Sequence, residues 1–136
     1  IMAEKTIHFK IITPEKIVYE DDVDAIYAQG QEGGFGVLPN HVPFMSSLAI
    51  DTAKIEKDGE VKYFSIIGGA FQFKDNEAII LTEVAECGND IDTTRAQLAK
   101  ERAEAKIASA ETQRDIKIAN TALARAMARL KAASKQ

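Results

Sequence analysis

The stretch C-G-N-D-I-D-T-T-R-A-Q, from Cys87 to Gln97, is where one kind of chain gives way to another. All nine aromatic residues lie at or before Phe73, all three prolines at or before Pro43 and all eight glycines at or before Gly88. From Asp90 to Gln136 there are none of these; thirteen of the 47 residues are alanine, and all five arginines of the chain stand here. Glycine, proline and aromatic residues suit turns and strands, whereas alanine with arginine, lysine and glutamate favours uninterrupted helix. The formal charge divides at the same place, −8 over residues 1–89 and +4 over 90–136, within a total of −4. The break predicts two units, 1–89 rich in strands and 90–136 helical.

Upstream of the break, apolar and polar residues alternate, as in Ile7, Phe9 and Ile11 against His8 and Lys10, the period of a strand with one buried face. Turn signals recur between such runs at Thr13-Pro14, Glu32 to Phe44, Asp58-Gly59 and Asp75-Asn76. Asp58-Gly59, between Ile55 and Val61-Lys62-Tyr63-Phe64, predicts a tight hairpin, because both residues tolerate the positive φ of a type I′ turn. Short strands punctuated in this way predict an antiparallel sandwich or barrel.

Downstream, Asp90 or Asp92 is placed to cap a helix start. Ile116, Ala119, Leu123, Ala126, Leu130 and Ala133 recur at alternating steps of three and four, and Ala96, Ala99, Ala103, Ile107 and Ala110 form a weaker stripe. Two such seams predict an antiparallel two-helix hairpin that reverses between Ser109 and Asp115, where Thr112 or Asp115 caps the second helix. Alanines bury little area, so at ~25 cal/mol per Å² the seam stabilises the pair only modestly, and a hairpin that opens or swings away is physically reasonable.

The run E-G-G-F-G-V-L-P-N-H-V-P-F, Glu32 to Phe44, is not a phosphate cradle. A Walker loop needs lysine and a hydroxyl residue after its last glycine, and Val37 and Leu38 follow Gly36 instead. A dinucleotide fingerprint needs a third glycine where Pro39 stands. His8 reads as solvated on the lysine side of its strand, and His41, between two prolines, as a loop-packing residue. Glu20-Asp21-Asp22 with Asp24 reads as a solvated turn rather than a cation site. Cys87 is the single cysteine, which excludes an internal disulfide and fits a reducing cytoplasm. No apolar run approaches the ~20 residues of a membrane span, and no secretory signal pattern opens the sequence. Neither a catalytic constellation nor a metal site emerges, so the expectation is a soluble protein that is not an enzyme.

The order of I-T-P-E-K at Ile12 to Lys16, the run from Glu32 to Phe44, I-I-G-G-A-F at Ile66 to Phe71, and D-I-D-T-T-R-A leading an alanine-rich tail closely resembles the epsilon subunit family of bacterial F-type ATP synthases. The resemblance covers essentially the whole chain, from about Lys5 to Leu130. Asn40 stands where that family commonly has glycine, a mild change because asparagine also tolerates the left-handed conformation. Asp51-Thr52 replaces a usual Pro-Gly turn. The resemblance implies an amino-terminal antiparallel β-sandwich followed by a carboxy-terminal two-helix hairpin, forming a rotor part without chemistry of its own. It implies that the sandwich binds the gamma subunit and sits on the membrane rotor ring. The subunit would then be peripheral at the cytoplasmic face of the bacterial cell membrane and not embedded in it. The turn from Glu32 to Phe44, with Glu32 and His41, is expected to face that ring. The hairpin is expected to lie folded on the sandwich or to extend along gamma among the alpha and beta catalytic subunits, where it inhibits ATP hydrolysis.

Bacillus-type members of that family carry a motif of isoleucine or leucine, aspartate, two variable residues, arginine and alanine that accompanies ATP binding by the folded hairpin. Ile91-Asp92-Thr93-Thr94-Arg95-Ala96 matches it. The resemblance places further ATP ligands at Glu86, Arg102, Arg125 and Arg129, with ATP as a regulatory ligand and no catalytic cofactor. The chemistry is compatible, since a carboxylate accepts from the adenine amino group and arginine forks suit phosphate oxygens. Arg95 and Arg102 are seven apart and Arg125 and Arg129 four apart, so a folded hairpin is expected to bring all four together. The alternative is a free-standing module binding anions or nucleic acid through its arginine tail. The modest +4, the interspersed acids and the absence of a stacking aromatic in the tail argue against nucleic acid as a partner.

Overall fold

The computed structural model describes residues 5–135; residues 1–4 and 136, which belong to the two expected units, lie outside the described residues. Strands β1 (Ile7–Ile12), β2 (Ile17–Val23), β3 (Ala25–Gly30), β4 (Gly33–Val37), β5 (Phe44–Lys57), β6 (Glu60–Lys74), β7 (Glu77–Leu81) and β8 (Ala85–Cys87) come first. A 3-10 turn at Gly88–Asp90 then leads into helices α1 (Thr93–Ser109) and α2 (Gln113–Lys135).

The strands lie in the order β2-β1-β7-β6-β5-β3-β4, with β8 pairing the first half of β6. The long β5–β6 hairpin is the spine, turning at Asp58 (φ 51°) and Gly59 (φ 79°) as the sequence predicts. Asp75 (φ 53°) and Asn76 (φ 58°) make the next reversal in the same way. Midway along β6, Gly68 and Gly69 both take positive φ; a Cβ on Gly69 would run into the Leu81 carbonyl, so only glycine fits there. The sheet closes over itself so that Ile7, Phe9 and Ile11 of β1 share one core with Ile26, Val37, Ile55, Phe64, Phe71 and Phe73. Tilted ring pairs such as Tyr19–Phe64 at 5.1 Å and Phe35–Phe71 at 5.0 Å tie its two layers.

Three local expectations are corrected. The pairing is antiparallel except for β1 with β7, which run parallel. The acidic run is not a turn: Glu20, Asp21 and Asp22 lie inside β2, and their carboxylates meet cations across the sheet, Asp21 with Lys57 at 2.6 Å and both neighbours with His8. Nor is Glu32 to Phe44 one turn, since Gly33–Val37 forms edge strand β4. Gly36 serves packing: it faces Tyr27, and a Cβ there would stand 2.7 Å from the tyrosine ring. The loop proper begins at Leu38, and Asn40 takes φ 68°, the left-handed value asparagine tolerates.

Helix α1 starts at an Asp92 cap, whose carboxylate accepts the Arg95 N–H at 3.0 Å. Helix α2 starts at Thr112, whose hydroxyl accepts the Asp115 N–H at 3.1 Å. The predicted seams meet: Ala96 and Ala103 of α1 and Ala119 and Ala126 of α2 are buried. Helix α2, which contacts β5 and β6, has a second buried face, Ala128 and Ala132, that the heptad pattern did not predict. Ile91, Ala96 and Ala132, with Tyr63 and Leu130, form an apolar cluster separate from the sandwich core.

Candidate functional site

Where β8, the 3-10 turn, the start of α1 and the end of α2 converge, they enclose a cleft of about 450 Å³ lined by Glu86, Asp90, Ile91, Asp92, Arg95 and Arg129. Each side chain arrives by a local rule. Glu86 projects from β8 opposite Ser65; Ile91 is buried as the chain leaves the 3-10 turn; Asp92 is held as the helix cap. Arg129 donates from Nε to Glu86 Oε1 at 2.7 Å, so α2 is fastened to the sandwich through the cleft wall. Arg95 is exposed on the first turn of α1, and among the described residues no carboxylate lies within ion-pair distance of it. The cleft thus combines an apolar wall, three carboxylates and two guanidinium groups, one of them unpaired.

Five of the seven expected ATP ligands come together here: Glu86, Ile91, Asp92, Arg95 and Arg129. Arg102 and Arg125 do not join them. Arg102 is exposed two turns further along α1, about 10 Å at 1.5 Å per residue. Arg125 lines a different cleft of about 920 Å³ between the first half of α2 and the β5–β6 bend, together with Glu83, Lys117 and Gln31. Spacing along one helix fixes the angle between two side chains, but not which flank the sheet will occupy. Asp90 also lines the site, and the sequence marked it only as a candidate cap.

Two further surfaces stand out. On the outer face of the β2-β1-β7-β6-β5 layer, pairing aligns Ile17, Ile12, Leu81 and Ala70 in one row and Lys10, Ile79, Gln72 and Met45 in the next. No helix covers this face among the described residues, and Ile17, Leu81 and Met45 are 51%, 53% and 73% exposed. Beside it, the loop after β4 exposes Leu38 (55%) and Val42 (70%). Glu32 is exposed in the turn before β4, whereas His41 follows β4 and packs edge-on against Phe73 at 5.9 Å and Phe44 at 6.1 Å. Its Nδ1–H donates to the Val42 carbonyl at 2.7 Å, so His41 shapes the loop as expected.

The family description "ATP synthase, Delta/Epsilon chain, beta-sandwich domain" matches residues 6–88, and "ATP synthase, Delta/Epsilon chain, long alpha-helix domain" matches 89–134. The chain belongs to the ATP synthase epsilon family. The epsilon chain of Nitratidesulfovibrio vulgaris is 42% identical over 128 residues, 94% of this chain and 96% of that one. That of Halalkalibacterium halodurans is 37% identical over 131 residues, 96% of this chain and 98% of its own. A chain in the Euglena gracilis mitochondrial ATP synthase, solved as OSCP/F1/c-ring, superposes with a TM-score of 0.84 at 22% identity, covering 99% of this chain and 84% of that chain, and so shares the fold. An epsilon chain is a non-catalytic stalk subunit of the rotary ATP synthase. The free-standing anion- or nucleic-acid-binding alternative has no support in these relatives. No helix among the described residues is long and apolar enough to cross a membrane.

Proposed function

We propose that this epsilon chain couples the central stalk through its sandwich and regulates ATP hydrolysis through its hairpin. The carrying observation is the way the hairpin sits: it closes on the sandwich through alanines and a small cluster of its own, not through the aromatic core. Such an interface releases at modest cost, as a mobile arm requires. In this account the bare apolar face bearing Ile17, Leu81 and Met45 docks on the gamma subunit. The end bearing Leu38, Val42, Glu32 and His41 meets the membrane rotor ring, which makes the subunit peripheral to the membrane. The extended arm places its basic residues among the alpha and beta subunits, slowing hydrolysis.

ATP is the proposed regulatory ligand, held by the cleft in the folded state. Ile91 offers a wall for the base and Glu86 or Asp92 an acceptor for its amino group, while Arg95 and Arg129 suit phosphate oxygens. A cleft of about 450 Å³ lies within the range of small-ligand sites. ATP that contacts only the folded arm stabilises it by RT ln(1 + [L]/Kd). Calorimetric titration of the full chain tests this. Arg95→Ala removes a charge-assisted contact worth ~1.5–3 kcal/mol and weakens ATP about tenfold or more, whereas Arg125→Ala, in the other cleft, weakens it less. Equal affinity in wild type and Arg95→Ala would remove the cleft as the ATP site.

A further inference from the structure

Ala128 and Ala132 mark a buried face near the end of α2, and the side chains between them leave the helix sideways. At about 100° per residue, Arg129 and Lys131 depart on opposite flanks, roughly 80° to either side of the buried face. Each finds a carboxylate of the sandwich. On one flank Arg129 Nε meets Glu86 Oε1 of β8 at 2.7 Å; on the other Lys131 Nζ meets Asp51 Oδ1 of β5 at 2.9 Å. Asp51 and Thr52 form no turn, because β5 runs straight through them, and the Thr52 N–H and hydroxyl orient the Asp51 carboxylate at 2.7 and 3.4 Å. Among the described residues these are the two ion pairs that join the hairpin to the sandwich.

We propose that Asp51–Lys131 and Glu86–Arg129 form a two-sided electrostatic latch that straddles the end of α2 and holds the hairpin in its folded, non-inhibitory position. This rests on the mobile-arm function above and adds what sets the arm's release. The first half of α2 overhangs the 920 Å³ cleft, so the arm is fastened at its far end and open near its reversal. Glu86–Arg129 lies in the ATP cleft and is exposed to competition by a bound anion; Asp51–Lys131 lines no part of that cleft and holds whether or not it is filled. Burial pushes the Asp51 carboxyl up, but the bonds from Lys131 and from the Thr52 N–H outweigh it and leave it below the usual carboxylate range, as a working ion pair requires. Lys131 is half-exposed, so the pair is open to screening by salt.

Charge exchange in the full chain tests the latch, with the undocked share read by NMR from the Ala132 methyl and the Tyr63 ring, which meet only in the docked state. Asp51→Lys and Lys131→Asp each raise the undocked-to-docked ratio, by about two- to fivefold for loss of one half-exposed pair and more where like charges meet. The double exchange, Asp51→Lys with Lys131→Asp, returns the ratio to near the wild-type value, and 0.5 M salt, on the order of a 4 Å screening length, levels the four proteins. Arg114→Asp, a charge reversal at an exposed position on α2, leaves the ratio unchanged. If the single exchanges release the arm and the double does not restore it, the latch is wrong and the mobile arm stands. If neither single exchange nor salt changes the ratio, the latch is wrong; if none of the proteins shows any undocked share, the mobile arm falls as well.

Discussion

His8 shows how far one residue departs from its sequence neighbourhood. Its place beside Lys10 suggested a solvated side chain, yet the register of β1 with β2 puts it between Asp22 and Glu20, with Nδ1 2.9 Å and Nε2 2.7 Å from their carboxylates. A neutral imidazole has one donor, so two carboxylates are satisfied only by the imidazolium. The bonds to Asp22 and then Glu20 raise the pKa of His8 above 6.5 against a smaller desolvation penalty. Lys10 on its own strand and Glu77, its register partner on β7, are the other charged groups beside it. A raised folded-state pKa contributes stability that is fully present below pH 6.5 and is lost as pH rises through the higher folded value. The melting temperature of wild type is therefore expected to exceed that of His8→Gln most clearly near pH 6, with the gap narrowing through the alkaline range. A gap independent of pH would show that the imidazolium does not matter. Arg125 and Arg129 carry a related lesson: four residues apart, they end in different clefts because the sheet lies against a flank of α2 that the heptad pattern did not reveal.

At the scale of elements, legibility followed how local the cause was. Asp58-Gly59 and Asp75-Asn76 announced their hairpins because positive φ is a property of those residues themselves. Each helix start was legible to within two candidates, Asp90 or Asp92 and Thr112 or Asp115, because a cap acts within three residues, and Asp92 and Thr112 are the caps. Strand β4 stayed hidden: Gly33, Gly34 and Gly36 look like a loop until their pairing with β3 is seen and Gly36 is found under the Tyr27 ring. The parallel β1–β7 pair was hidden too, since its partners are some seventy residues apart and no turn signal joins them. A cap that works alone has a local effect. Thr112→Ala is expected to cost about 1 kcal/mol, loosening the first turn of α2 and leaving the sandwich intact. Hydrogen exchange resolved by segment checks this through faster exchange at Gln113–Ile116 with β1 to β7 unchanged; faster exchange throughout would mean that hairpin and sandwich unfold as one unit.

The whole molecule divides its tasks as its composition divides. Aromatic residues are buried in one sandwich core, while the hairpin meets the sandwich through a separate small cluster and two flanking ion pairs, the arrangement that the proposed mobile arm requires. A chain ending at Asp90 keeps every aromatic side chain of the core and is expected to fold and to bind gamma through the face bearing Ile17, Leu81 and Met45. The sandwich and the arm should then be separable in the assembled enzyme. The most direct test is the ATP hydrolysis rate of complexes reconstituted with the full chain or with residues 1–90, at low ATP, with proton pumping recorded alongside. The shortened chain is predicted to raise hydrolysis while pumping stays coupled to it, because the brake is removed and the coupling unit retained. Equal hydrolysis rates with the two chains would contradict the account, since the hairpin would then not be the brake.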